Sequence, residues 1–117
     1  MPSSRQRLGG LAEDQAVLFL RAKGYAIIGR HLTSRYGEID ILARDGETRV
    51  IVEVKARRSA RFGTAIESVT PRKLSRLMNA YEDWRVQTGA PNANVRVDVI
   101  TLDQGRVRHL VGVDVEP

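Results

Sequence analysis

Two apolar segments, GEIDILA and VIVEVK, carry the side chains of this sequence that are best placed to do chemistry. Successive side chains on a strand point to opposite faces, so Glu53 and Lys55 share one face of the second segment, while Asp40 lies within the first. Carboxylates on adjacent strands repel each other unless a positive charge compensates them. A divalent ion such as Mg²⁺ or Mn²⁺, which binds carboxylate oxygens, would compensate both Asp40 and Glu53.

A metal ion at this position favours hydrolysis of phosphodiester bonds. The ion would activate a water molecule and polarise the phosphoryl group, and Lys55 would stabilise the charge that develops during attack. The alternative is an exposed polar face on which Glu53 and Lys55 pair only with each other. The valines and the isoleucine around Glu53 favour the metal site, because stray charges are rare on a central, buried strand.

The turn between the two segments decides how the acids face each other. If the loop is Gly46-Glu47, Asp40 lies directly across from Glu53; if it is Asp45-Gly46, Glu53 is diagonal to Asp40. Either loop leaves Asp40, Glu53 and Lys55 on one face, although a three-residue loop with a bulge would change this. The opposite face of the first segment is expected to carry Ile39, Ile41 and Ala43.

The chain has 117 residues, a length that fits one domain with one modest core, so we expect a single domain spanning residues 1–117. Cysteine is absent, which excludes disulfides, thiolate metal sites and cysteine nucleophiles. The N-terminal residues lack the apolar run of a signal peptide, and no segment approaches the ~20 apolar residues that span a bilayer. We therefore expect a cytoplasmic protein without a membrane segment.

The charge of the chain indicates an acidic partner. Its formal net charge is +5, and its 19 basic residues are arginines apart from Lys23, Lys55 and Lys73. A net positive charge suits nucleic acid or a membrane surface, and guanidinium groups fork onto phosphate oxygens in particular. From composition alone, a GC-rich genome and a solvated surface explain the arginine excess equally well.

The order of elements predicted from periodicity and turn residues is αβββαββ, an α/β fold. A strand, a helix and a further strand after residue 49 imply one parallel pair within a mixed sheet. In the second helix, Thr70 is expected as N-cap and Pro71 at the first turn, and Gly89 with Pro91 ends the helix. Core packing is expected for its apolar residues Leu74, Leu77, Met78, Tyr81 and Trp84. The predicted helices and strands are Leu11–Lys23, Tyr25–Ile28, Ile39–Arg44, Arg49–Ala56, a helix from Pro71 to Gly89, Val95–Ile100 and Val107–Val113, with a surface loop over Arg57–Ser68.

GEIDILA followed by VIVEVKAR resembles the signature of the PD-(D/E)XK nucleases. From GLAEDQAVLFLRAKGYAII through RFG, the helix with Lys73 and RVDVI, the chain resembles the YraN-type family of bacterial proteins, which is similar to archaeal Holliday-junction resolvases. This resemblance implies a restriction-endonuclease-like core, a mixed β-sheet flanked by helices. The proline of the motif name is missing, since Glu38-Ile39 precedes Asp40, as is usual in the resolvase-like branch.

The resemblance also implies roles for individual residues. Asp40 and Glu53 would be metal ligands together with the backbone carbonyl of Val54, and Lys55 would be the catalytic lysine. Glu13 would be the acid of the first helix that points into the same site. Considered without the resemblance, Glu13 is about as well explained by its favourable interaction with the dipole near the start of a helix.

Basic residues near this site are candidates for binding the nucleic-acid backbone. They are Arg57, Arg58, Arg61 and Lys73. For Lys73, simple solvation is an alternative of similar weight. Asp98 is expected to make a structural hydrogen bond or to pair with an arginine, and His31 and His109, which have no partner at ligand spacing, are expected to take no part in chemistry.

The function expected from these residues is that of a metal-dependent nuclease acting on DNA, with branched or structured DNA as a candidate substrate. The alternative is a nucleic-acid-binding module without turnover in a DNA repair or recombination complex. A small core has little surface for base recognition, so contacts to phosphates and to shape are expected. By analogy, a homodimer would suit a substrate with two-fold symmetry.

Overall fold

The computed structural model of the protein describes residues 4–57 and 69–113. In this part of the chain the elements follow the predicted order αβββαββ. They are α1 Ser4–Ala22, β1 Ala26–Ser34, β2 Gly37–Asp45, β3 Thr48–Arg57, α2 Pro71–Thr88, β4 Val95–Asp103 and β5 Arg106–Leu110.

The five described strands form one mixed sheet in the order β1-β2-β3-β4-β5. Neighbouring strands are antiparallel except β3 and β4, which run parallel from the pair Arg49–Val95 to the pair Arg57–Asp103. Helix α2 lies between these two strands in the chain, as the parallel connection requires. The prediction of an α/β fold with a restriction-endonuclease-like core is confirmed.

Of the two described helices, one packs on each face of the sheet. On one face α1 packs its buried residues, such as Ala16 and Leu20, against Val50 and Val52 of β3. On the other face α2 packs Leu77 and Tyr81 against Ile51 and its neighbours. The central strand β3 is therefore apolar on both faces over Val50, Ile51 and Val52, all fully buried.

The ends of α2 are as predicted, which fixes where its first turn lies. The Thr70 hydroxyl accepts a hydrogen bond from the Lys73 backbone N–H at 3.1 Å, and Pro71 occupies the first turn. Gly89 ends the helix with a φ of 71°, a left-handed conformation that glycine adopts readily. The expectation of core packing is wrong for Met78, which is 41% exposed, because it lies beside rather than on the buried stripe of the helix. Neither described helix carries the long apolar stretch that crossing a bilayer would need.

Four elements have a bound that differs from the prediction by three residues or more. Helix α1 starts at Ser4, β4 runs on to Asp103, β5 ends at Leu110, and β1 runs on to Ser34 through residues expected to be irregular. Strand β1 is at the edge of the sheet, so its backbone pairs with β2 alone and many of its side chains face solvent. Because many of its positions are exposed and polar, β1 lacks the apolar alternation from which strands are predicted.

The expectation that Ile39 shares a face with Ile41 and Ala43 is also wrong. Ile39 packs with the residues on the α2 side of the sheet, whereas Ile41 and Ala43 pack on the α1 side. The regular alternation of β2 is thus broken around Asp40, the residue between the two isoleucines. This irregularity lies at the site predicted to do chemistry.

Candidate functional site

The predicted acids lie where β2 and β3 part. Asp45 pairs with Thr48, so Gly46-Glu47 forms the two-residue loop, the first of the two loops considered. Backbone pairing between the strands runs to Ile41 and Val52 and stops there. The Asp40 carboxylate instead accepts a hydrogen bond from the Val54 N–H at 3.0 Å. A side-chain hydrogen bond thus follows the last regular backbone pair of the hairpin.

The electrostatics of Asp40 indicate that several acids converge on it. The pKa of Asp40 is raised from 3.8 to about 6, chiefly by burial and next by the charge of Glu53. The charges of Glu13 and Glu38 raise it by less. The hydrogen bond from Val54 works in the opposite direction. The four carboxylates therefore share one electrostatic environment in the folded protein, although they come from α1, β2 and β3.

Glu53 is paired with two lysines. Its side chain is 7% exposed, and its Oε1 lies 2.9 Å from the Nζ of Lys73 and 3.6 Å from the Nζ of Lys55. Lys55 comes from the same strand, as predicted, and Lys73 comes from the first turn of α2. The ammonium group of Lys73 is therefore not simply solvated. Its proposed contact with phosphate stays a prediction.

Glu13 is brought to the same end of the sheet by α1, and His31 holds it there. The two ring nitrogens of His31 lie 2.7 Å from Glu13 Oε1 and 2.7 Å from Glu38 Oε1. Arg30 lies 3.5 Å from the same Glu13 oxygen. The hydrogen bond to Glu38, together with the charges of both acids, raises the pKa of His31 despite the opposing effect of burial.

His31 is thus not isolated, contrary to the interpretation of the sequence, while the expectation that it takes no part in chemistry stays a prediction. The residues on either side of it, Arg30 and Leu32, pair with Ile41 and Ile39 of β2. His31 on β1 therefore lies opposite Asp40 on β2. Its φ of 52° is unusual for a residue other than glycine. Strained backbone conformations of this kind persist where the surrounding contacts demand them, and they cluster at functional sites.

The donor set at this site suits a hard divalent ion. Asp40 and Glu53 supply two carboxylates, and Mg²⁺ is usually held by one or two carboxylates while it keeps several waters. Burial, and after it the charge of Glu53, raises the pKa of Asp40, so a cation beside the two acids would stabilise their ionised forms. Within residues 4–57 and 69–113, no group of three or more His, Cys, Asp or Glu side chains is arranged to hold a metal. An ion would therefore depend on these two acids together with a backbone carbonyl, such as that of Val54, and water.

The remaining basic residues predicted near the site cannot all be placed. The backbone of Arg57 ends β3, in register with Asp103 of β4. Arg58 and Arg61 lie outside the described residues. The predicted contacts of Arg57, Arg58 and Arg61 with nucleic acid stay predictions.

A second group of polar side chains surrounds Asp98, which is fully buried. Its carboxylate lies 3.0 Å from Arg96 Nε and 2.7 Å from His109 Nε2, and it accepts a hydrogen bond from the Gly112 N–H at 2.9 Å. The predicted pairing of Asp98 with an arginine is confirmed. His109 is not isolated, since it contacts Asp98, and the expectation that it takes no part in chemistry stays a prediction. Tyr25 belongs to the same group, because its hydroxyl contacts both Arg96 and Asp98.

Sequence patterns did not reveal that Lys73 contacts Glu53 or that His31 bridges two acids. Both contacts join elements that are distant in the chain, and periodicity within one element gives no signal for them. The predicted cap at Thr70 and Pro71 does place Lys73 in the first turn of α2. The packing of α2 on the sheet then decides what that turn faces.

Comparison with known proteins places the chain in a family. A UPF0102 protein of Mycolicibacterium vanbaalenii is 40% identical over 115 residues, covering 94% of this chain and 95% of that protein. Proteins of the same designation from Geobacter sulfurreducens and Symbiobacterium thermophilum are each 41% identical, over 88% and 86% of this chain and 84% and 85% of theirs. Residues 12–102, which include Glu13, Asp40, Glu53, Lys55 and Lys73, match the family's sequence pattern. The chain therefore belongs to the uncharacterised protein family UPF0102, the YraN-type family that it resembled.

Proposed function

We propose that the protein is a metal-dependent nuclease that hydrolyses phosphodiester bonds in DNA. The observation that carries the proposal is the convergence of Asp40, Glu53 and Lys55 at the point where β2 and β3 stop pairing. A charged carboxylate that is partly buried beside a second acid destabilises the folded chain, as the raised pKa of Asp40 indicates. A functional site accounts for this cost, because perturbed carboxylates and a nearby lysine are typical of catalytic centres.

Asp40 and Glu53 would hold Mg²⁺ or Mn²⁺, with the Val54 carbonyl as a further ligand. When bound, the ion would supply Lewis-acid polarisation of the phosphoryl group and lower the pKa of a bound water. With a pKa of about 6, Asp40 is mainly ionised at neutral pH and is able to act as a ligand. The hydrogen bond from Val54 fixes one of its oxygens and leaves the other for the ion.

The lysines and Glu13 would orient the reacting groups. The Lys55 side chain is 30% exposed, so its ammonium group can reach a phosphate while Glu53 holds it nearby. A positive charge in this position stabilises the additional negative charge of the attacked phosphate. Glu13, which is 11% exposed and held by His31, would orient a water molecule or a second ligand from the α1 side.

The partner we propose is DNA, bound mainly through its phosphates. The net charge of +5 supports a polyanionic partner. Two-fold symmetric substrates such as four-way junctions would be matched by a homodimer, and this part of the proposal rests on the likeness to the resolvases.

Cleavage assays with defined DNA structures test the proposal. The purified protein would be incubated with linear, nicked, flapped and four-way-junction DNA, in Mg²⁺, in Mn²⁺ and in chelator. We expect cleavage that requires the metal and is lost in Asp40→Asn and in Lys55→Ala. The matched control is Glu47→Gln, which removes an exposed acid from the turn of the same hairpin and should leave cleavage unchanged. Cleavage that survives Asp40→Asn or chelation would contradict the proposal.

A second candidate, a nucleic-acid-binding module without turnover, is favoured by one observation. Lys55 and Lys73 both contact Glu53, so two protein cations offset the charge of this acid. Binding to DNA that is unaffected by Mg²⁺, with no cleavage of any of the four structures, would support this candidate instead.

A further inference from the structure

A small cleft opens beside the carboxylates, between α2 and the turn that joins β1 to β2. Its volume is about 140 Å³, and its lining residues are Tyr36, Gly37, Glu38, Lys73, Arg76, Leu77 and Ala80. Lys73 belongs both to this cleft and to the candidate site, since its Nζ lies 2.9 Å from Glu53 Oε1. The cleft is thus one side chain away from the acids proposed to hold the metal.

Arg76 gives the cleft a positive charge that no described acid neutralises. It follows Lys73 by three residues on α2, so the two side chains emerge from neighbouring positions on the helix surface. Arg76 is exposed, and within the described ranges no acid or hydrogen-bond partner engages its guanidinium group. By contrast, Arg85 on the same helix is bound to Glu82 at 2.6 Å.

The single acid in the lining does not cancel this charge. Glu38 already lies 2.7 Å from His31, which is itself made more basic by that contact. Arg35 donates a hydrogen bond to the hydroxyl of the lining residue Tyr36 at 2.9 Å, and its guanidinium lies 4.9 Å from the centre of the Tyr36 ring. Arg35 therefore adds a positive charge beside a cleft that Lys73 and Arg76 already line.

We infer that this cleft binds a phosphate of the nucleic-acid strand, next to the phosphate that lies at the carboxylates. The inference rests on the proposed function and adds to it a second phosphate subsite. Arg76 would bind the phosphate oxygens through its planar fork, and Lys73 would link this subsite to Glu53. Leu77 and Ala80, which are buried and line the cleft, supply no side-chain polar group that could read a base edge, so we expect the cations to bind the backbone.

Binding measurements without turnover test the contribution of Arg76. Fluorescently labelled DNA would be titrated in chelator with wild type, Arg76→Gln, Arg76→Lys and the control Arg108→Gln, which removes an exposed arginine from β5 at the far edge of the sheet. Arg76→Gln should weaken binding about tenfold and reduce the salt dependence by about one phosphate contact. Arg76→Lys should recover part of the loss, and Arg108→Gln should have little effect.

Nuclear magnetic resonance locates the contact. A four-nucleotide DNA strand would be titrated into ¹⁵N-labelled protein in chelator. The amide signals of Gly37, Leu77 and Ala80 should shift at similar DNA concentrations in wild type and in Arg108→Gln, and at about tenfold higher concentration in Arg76→Gln. Cleft signals that stay fixed in wild type, or equal binding by Arg76→Gln and Arg108→Gln, would overturn the inference. Metal-dependent cleavage lost in Asp40→Asn would then still support the nuclease. Conversely, shifts at the cleft without cleavage under any condition would refute the nuclease and leave the phosphate subsite standing.

Discussion

The Asp40 carboxylate is 3.0 Å from the backbone nitrogen of Val54, a residue 14 positions later in the chain. This contact replaces backbone pairing at the end of the β2–β3 hairpin, where the last regular pair is Ile41 with Val52. It holds a partly buried acid next to Glu53, whose charge raises the pKa of Asp40. The geometry that opens the hairpin is therefore also the geometry that concentrates negative charge.

Asp40→Asn should change how stability depends on pH. The pKa of Asp40 is raised to about 6 in the folded state, so the folded protein holds this proton more tightly than the unfolded chain does. The resulting stabilisation is complete below the ordinary carboxyl pKa near 4 and is lost as the pH rises through about 6. Relative to Asp40→Asn, wild type should lose up to about 3 kcal/mol between pH 4 and pH 7. Urea unfolding in chelator measures this, and parallel curves for the two proteins would contradict it.

Divalent ions should stabilise the folded protein through Asp40 and Glu53. A ligand that binds only the folded state adds about 2.7 kcal/mol at 100 times its dissociation constant. We expect the melting temperature of wild type to rise with Mg²⁺ or Mn²⁺ at pH 7.5, and that of Asp40→Asn to stay nearly constant. Glu47→Gln, which alters an exposed acid in the turn, is the control and should respond like wild type. An equal rise in all three proteins would indicate a different binding site.

Lys73→Met should destabilise the metal-free protein and strengthen its response to metal. Glu53 would keep only the longer contact of 3.6 Å to Lys55, so a cost of about 1–2 kcal/mol is expected. A divalent ion would then meet less repulsion at Glu53, and the rise in melting temperature on adding Mg²⁺ should exceed that of wild type. If Lys73→Met has the same effect in a Glu53→Gln background as in wild type, the two residues are not coupled.

His31→Asn should separate the ion pairs of His31 from its backbone conformation, because asparagine tolerates the φ of 52°. The pKa of His31 is raised, so its stabilising effect is present below the ordinary histidine pKa of 6.5 and is lost as the pH rises through the folded value. Wild type should thus exceed His31→Asn in stability near pH 5.5 and approach it near pH 9. The difference should be under about 1 kcal/mol, because the side chain is half exposed. A difference that grows with pH would be contrary to this account.

Asp98→Ala should be the most destabilising of these changes and should not alter DNA binding by the folded protein. It would leave Arg96 and His109 without their buried partner, at a cost of about 3–5 kcal/mol. Asp98→Asn should cost less, since an amide oxygen still accepts the hydrogen bond from Gly112. Chemical denaturation gives the cost, and DNA binding below the melting temperature should match that of wild type. Loss of binding in folded Asp98→Asn would link this buried group to the site.

The fold was largely predictable because its signals are local. The cap at Thr70 and the glycine at Gly89 set the ends of α2, and continuous apolar residues identified β3 as a central strand. The full length of β1 was missed, since an edge strand is held by backbone pairing and does not need apolar side chains on both faces. The loss of alternation between Ile39 and Ile41 has no sequence signal, because strand periodicity describes a regular strand and not a local irregularity.

The sequence by itself determined that Asp40, Glu53 and Lys55 belong to one hairpin, since strand periodicity and a short turn bring them near each other. Only the tertiary structure decided that Lys73, Glu13 and His31 join them, because these residues come from α2, α1 and β1. Packing of each helix on its own face of the sheet sets which side chain reaches the carboxylates, and no pattern within a single element specifies that contact.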